Sequence, residues 1–153
     1  MRTKFSVFLA VALAGNAMAQ PSVKAMTDEV TDNVATDYAE CSAYVAIIQG
    51  AFANSNMQIE TRKFKDASDR AAQFSLLAAK QSRRDEMATK VTLARIDMSM
   101  KEMMKIIDNN YSNISLLMNK HSDRCVEAMN DSKALMQRWA EKVQVKHGVS
   151  NGK

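Results

Sequence analysis

The side chains of this chain best suited to chemistry are mostly sulfur-bearing. Met98-Ser99-Met100-Lys101-Glu102-Met103-Met104 places four thioethers within seven residues, and on a helix Met100 shares a face with Met103 and Met104. A second line, Met118, His121, Cys125 and Met129, repeats the spacing of three and four. Thioethers and imidazole are soft enough for Cu(I) or Ag(I), so Met100, Met103, Met104, Met118 and His121 form a metal-like set. The same residues also complete apolar helical stripes, where methionine is an ordinary filler of irregular cores. Core packing is the leading assignment, no cofactor is expected, and soft-metal binding by the methionine-rich third helix is the alternative.

Other catalytic assemblies lack parts. The two histidines are His121, on an apolar stripe, and His147, near the end of the chain. The first reads as a buried or half-buried hydrogen-bonded histidine. There is no Cys-x-x-Cys-His haem site and no glycine-rich phosphate loop. A non-enzymatic protein is therefore expected, with an enzyme built from scattered polar side chains as a further alternative. The basic clusters Arg62-Lys63-Lys65 and Lys80-Arg83-Arg84 have only Phe64 as aromatic company, and Phe64 belongs to a core stripe, so no nucleic-acid partner is expected.

Long helices must position these residues. Four glycines and one proline in 153 residues, with no alternating apolar pattern, argue for helix throughout. The first helix is expected from about Thr27 to Ala53, with the stripe Val30, Val34, Tyr38, Cys41, Val45, Ile48 and Phe52, before Asn54-Ser55-Asn56 breaks it. The second spans about 57 to 80 on Phe64, Ala67, Ala71, Phe74 and Ala78. A turn near Lys80 to Ser82 fits Ser82 and Asp85 as a cap, although a continuous or kinked helix through 57 to 107 competes with it. The third helix has a broad apolar face, with Met87, Val91, Ala94 and Met98 beside Leu93, Ile96, Met100, Met103 and Ile107. It ends at Asp108-Asn109-Asn110, and the fourth runs on from about Ser112 with Ile114, Met118, His121, Cys125, Ala128, Leu135 and Trp139. Short connections make an up-down-up-down four-helix bundle the economical all-α architecture.

In that topology the first helix ends where the fourth begins. Cys41 lies 12 residues before Ala53 and Cys125 lies 12 after Asn113, so both sit about 18 Å from one end of the bundle. A Cys41–Cys125 disulfide is expected, worth about 4 kcal/mol in the chain-entropy picture.

An oxidising compartment is itself implied by the first nineteen residues. Arg2 and Lys4 precede an apolar run from Phe5 to Ala14 and a small-residue cleavage site at Ala17-Met18-Ala19, the pattern of a secretory signal. The organisation is then signal peptide over 1–19, one helical domain over 20–146 and a disordered tail over 147–153, in a periplasmic or secreted protein. No apolar stretch reaches the roughly 18 residues that a membrane span requires. Losing Arg2 and Lys4 lowers the formal net charge from +4 to +2. The rest is polarised, with six acids between Gln20 and Thr61 against Lys24 alone, then 18 bases against 11 acids from Arg62 on. Such halves suit intramolecular pairing.

The segments Asp37-Tyr38-Ala39-Glu40-Cys41-Ser42-Ala43-Tyr44 and Tyr111-Ser112-Asn113-Ile114-Ser115-Leu116-Leu117-Met118-Asn119-Lys120, the latter followed by Cys125, resemble segments of uncharacterised small exported helical proteins of aquatic bacteria and their phages. The resemblance implies a shared helical scaffold with a cysteine in each segment and carries over no functional site. Its polar members, Tyr44, Tyr111 and Asn113, fall near one bundle end and form a candidate recognition surface. Turn and capping chemistry over 108–113 is the competing assignment. An unidentified protein partner is the expected class of ligand, and Met87 or Met98 on the broad third helix offers a homodimer contact.

Overall fold

The computed structural model describes residues 21–55 and 57–149. The expected leader and the last residues of the expected tail, 150–153, lie outside the described residues. Five helices follow one another: α1 Val23–Asn54, α2 Gln58–Lys80, α3 Asp85–Ile106, α4 Ser115–Asn130 and α5 Ser132–Lys146, with one 3₁₀ turn at Tyr111–Asn113. The described residues are all-helical, in five helices rather than the expected four.

Where each helix starts and stops follows from local hydrogen bonding. α1 begins four residues before the expected Thr27 because the Ser22 hydroxyl accepts the Ala25 N–H at 3.1 Å and caps the first turn. A turn does separate α2 from α3, though the expected Ser82 cap is absent: the Ser82 hydroxyl reaches back toward Ala79 O, and Lys80 instead pairs with Asp85 at 3.3 Å. α3 ends as Asp108 and Asn109 enter the left-handed region at φ 52° and 54°, which short polar side chains tolerate.

The expected fourth helix is broken at Asp131. Its carboxylate caps α5 by accepting the Ala134 N–H at 2.9 Å. The apolar stripe runs on from Cys125 and Ala128 to Leu135, all buried, so periodicity alone reads straight through the break. The signal was the cap-forming Asn130-Asp131-Ser132 itself.

α1 is the central mast rather than the owner of a single apolar stripe. From Val34 to Ile48 nearly every side chain is buried, including Ala35, Ala39 and Ala43 on the side away from Tyr38. A helix covered all round sits between neighbours, and α1 packs against all four other helices, most extensively against α2. α2 runs antiparallel to it. Phe64 stacks on Phe52 with centroids 5.1 Å apart, the Ser68 hydroxyl donates to Ser42 O at 3.0 Å, and the Ser75 hydroxyl donates to Ala35 O at 2.7 Å. The buried face of α2 is thus Ser68, Ala71, Ser75 and Ala79, while Phe74, expected inside, is 39% exposed and leans on Tyr38.

α4 and α5 descend the other flank of α1. Tyr111 meets Gly50, His121 meets Tyr44, Cys125 is bonded to Cys41 with Cα atoms 5.3 Å apart, and the Tyr38 hydroxyl donates to Ala128 O at 3.1 Å. The two cysteines therefore lie at equal depth, as the residue spacing implies. Beyond the break, Trp139 Nε1 donates to Asp37 at 2.8 Å, and Lys146 and His147 both reach Glu29, at 2.5 and 2.7 Å. His147, assigned above to a disordered tail, is held at the end of α5 by that contact.

The acidic first helix does pair with the basic remainder. Asp32 binds Arg83 and, at 2.7 Å, Arg95, while Glu40 binds Arg124. Burial alone would raise the Asp32 pKa, but the hydrogen bonds from Arg83 and Arg95 outweigh it and hold the carboxyl below its usual range. Among the described residues no helix is long and apolar enough to cross a membrane.

A candidate binding cleft at the loop end

The end of α1 and the start of α4 meet at a corner shaped by backbone capping. The Asn109 N–H closes onto Met104 O at 2.8 Å, the Asn110 side chain accepts the Ser112 N–H at 3.0 Å, and the Asn113 amide donates to Ile107 O at 3.2 Å. These bonds turn the chain through about four residues and present Tyr111 to α1. Gly50 is what admits it: a β-carbon there would lie 2.8 Å from the Tyr111 hydroxyl oxygen. A glycine inside a helix costs about 0.5–1 kcal/mol relative to alanine, and here it gives close approach to an aromatic ring.

Between these walls lies an open cleft of about 600 Å³. Ile48, Ala51, Phe52, Met57, Ile114 and Met118 supply its apolar surface, and Asn54, Ser55, Asn109, Asn110, Ser112 and Tyr111 its polar one. Among the described residues the lining contains no acid, base or histidine. The Ser55 hydroxyl donates to Ala51 O at 3.1 Å. The arrangement can desolvate an apolar group and hydrogen-bond its uncharged neighbours.

The residues singled out by sequence separate into different places. Of the proposed recognition surface, Tyr111 lines the cleft, Asn113 is spent on capping α3, and Tyr44 is 7% exposed with its ring 5.9 Å from that of His121. Burial pushes the Tyr44 hydroxyl pKa up. Of the soft-metal set, Met118 lines the cleft, Met103 is buried in the core, and Met100 and Met104 pack against that core. His121 is buried, and desolvation lowers its pKa, favouring the neutral ring. Among the described residues neither of its nitrogens has a hydrogen-bond partner, where a bonded histidine is expected; Glu40 lies 4.0 Å from Nδ1. Cys125, next on that line, is in the disulfide and offers no thiolate. Among the described residues no three His, Cys, Asp or Glu side chains are grouped to hold a metal.

The opposite wall, Ala51, Phe52, Asn54, Ser55 and Met57, is invisible to motif reading because Asn54-Ser55-Asn56 signals only a helix break. A lone glycine inside the helix, Gly50, is the available hint of a close approach. The family models, the curated proteins and the solved structures compared with this chain contain no match to it.

Proposed function

We propose that this is an exported, non-enzymatic helical protein, periplasmic or secreted after removal of residues 1–19, which binds an uncharged apolar segment of a partner protein in the loop-end cleft. The carrying observation is the cleft lining: among the described residues it is made of apolar residues and neutral hydrogen-bonding groups, with no carboxylate, ammonium, guanidinium or imidazole. A pocket of that composition selects against charge, because a buried ion would find no partner. The Cys41–Cys125 bond supports the export reading, since such links persist in oxidising compartments.

A neutral apolar fluorophore such as N-phenyl-1-naphthylamine tests the cleft directly. It is expected to bind the oxidised protein at micromolar concentration and to lose that binding when Ala51→Trp fills the space. Equal binding by wild type and variant sinks the assignment. Export is checked separately: full-length protein produced in a Gram-negative host should appear in the periplasm with Gln20 as its N-terminus. A homodimer through α3 is a second reading, favoured by the exposure of Met87 and Met98 at 52% and 59%. Sedimentation that stays monomeric across micromolar concentrations removes it.

A further inference from the structure

About 20 Å down α1 from the loop-end cleft, a second hollow of about 340 Å³ opens between α1 and the α4–α5 flank. Thr36 and Asp37 of α1, Arg124 of α4, and Arg138, Trp139 and Lys142 of α5 wall it. Each arginine spends only part of its fork on a carboxylate. Arg124 Nη2 pairs with Glu40 and Arg138 Nη1 with Glu127 at 2.9 Å. Arg124 Nε and Arg138 Nη2 are shielded from water yet have no acceptor among the described residues. Lys142 makes no ion pair among the described residues; its ammonium lies 4.5 Å above the Trp139 ring. Asp37 faces the hollow as well, but one of its oxygens accepts the indole N–H at 2.8 Å, which fixes the ring.

Unmatched charged donors are costly, and three cationic side chains from two helices are gathered here around one space. We propose that this hollow is an oxyanion site, taking the carboxylate or phosphate group of a small ligand. The arginines contribute the N–H groups they do not use on Glu40 and Glu127, and Lys142 supplies a charge that has no counter-ion. Guanidinium forks match planar and tetrahedral oxyanions in geometry. Both arginine side chains are about a third exposed, at 38% and 32%, so they can re-aim toward an incoming group without disturbing the core. Glu40, Glu127 and Asp37 match Arg124, Arg138 and Lys142 charge for charge, so the attraction rests on the unused N–H groups and the placement of Lys142 rather than on a net positive field, and is short-ranged and sensitive to salt. This site shares no lining residue with the cleft and stands independently of it.

Trp139 is the single tryptophan of the chain and reports on the hollow alone. Oxidised protein should be titrated with inorganic phosphate and, separately, with acetate, sodium chloride holding ionic strength constant. The expected result is a saturable change in Trp139 emission, half-complete in the millimolar range or below, with at least one probe. Phosphate alone identifies a tetrahedral group, acetate alone a carboxylate, and both a site for either. Lys142→Gln and Arg138→Gln should each shift the half-point by about tenfold with circular dichroism and melting temperature unchanged. Absence of saturation with both probes, or curves that coincide for wild type and both variants, overturns the proposal.

Discussion

Along one flank the buried contacts of α1 are made by side chains of one or two heavy atoms, edged by the Phe52–Phe64 and Tyr38–Phe74 ring pairs; along the other it meets long side chains and a covalent bond. The buried residues of α2 are Ser68, Ala71, Ser75 and Ala79, and the two hydroxyls donate to backbone oxygens of α1 at 3.0 and 2.7 Å. Small residues let helix axes approach, and close approach brings continuous dispersion contact over many turns. Against α4 and α5, helices of 16 and 15 residues, the bridges are Tyr38, the disulfide, the Glu40–Arg124 pair, Trp139 and the Glu29 contacts. Helices that short are marginal alone. One seam is held by fit and the other by discrete links, and the two should fail in different ways.

The largest expected difference comes from breaking the disulfide. The bond closes a loop with a sequence separation of 84, and its loss through Cys41→Ala with Cys125→Ala should cost about 4 kcal/mol. Urea melts measure the total, and hydrogen exchange locates it. Protection should fall first in 115–146 and persist in 30–80; a uniform loss over both flanks would show that the seams are one cooperative unit.

Next in size is overpacking the close seam. Ala71 is 0% exposed between α1 and α2, so Ala71→Leu inserts three carbons where no space exists and should destabilise by about 1–3 kcal/mol. The same three-carbon gain at exposed Ala94, as Ala94→Leu, should stay within about 0.5 kcal/mol. Equal effects at the two positions would mean that the seam is looser than its burial implies.

These two seams also differ in how far the sequence betrayed them. The linked flank was legible: an apolar step of three and four, two cysteines twelve residues from the same end, and acids facing bases suffice to align α1 with α4. The fitted flank is legible only in part: Ala71 is buried and Phe64, Ala67 and Ala78 pack against the core as their stripe implies, but hydrophobicity points to Phe74 where the buried contacts are made by Ser68 and Ser75. A serine whose hydroxyl finds a helix carbonyl is compatible with burial, but its residue type alone does not announce which it will do. The break at Asp131 escaped because the stripe is continuous across it. On α3 the expected broad face proved narrower, with Met87, Leu93 and Met98 exposed and Ala88, Thr92 and Met103 inside. The cleft is half visible in the sequence: Tyr111 and the Asn-rich corner stand out, but only tertiary packing sets Ala51, Phe52, Ser55 and Met57 opposite them.

A smaller effect probes one discrete link. Tyr38→Phe removes the hydroxyl that donates to Ala128 O across 90 residues of sequence, leaving the ring against Phe74. A loss of about 0.5–1.5 kcal/mol is expected in urea melts. A value near zero would assign the work of Tyr38 to its ring and count the linked flank as better packed than it looks.

The subtlest test uses pH on the same flank. His121 sits one helical turn before Cys125, against the Tyr44 ring and 4.0 Å from Glu40. Burial lowers its pKa, with Glu40 pulling the other way and Arg124 and Lys120 reinforcing the drop. The unfolded chain therefore takes up a proton at about pH 6.5, while the folded chain resists until lower pH. Between those values the unfolded state binds more protons, so stability must fall as pH falls through that window and level off above it. Glu29 and Asp32, both with lowered pKa, also lose their stabilising contribution on acidification, but they do so below the ordinary carboxylate values. Urea melts at pH 5 and pH 7 on wild type and His121→Leu isolate the imidazole, because the difference between the two proteins cancels other titrating groups. The wild type should lose more stability than the variant on going to pH 5. An unchanged difference would mean that the linked flank opens enough at pH 5 to hydrate His121, and the comparison of the two seams would then have to be made with the α4–α5 flank already loosened.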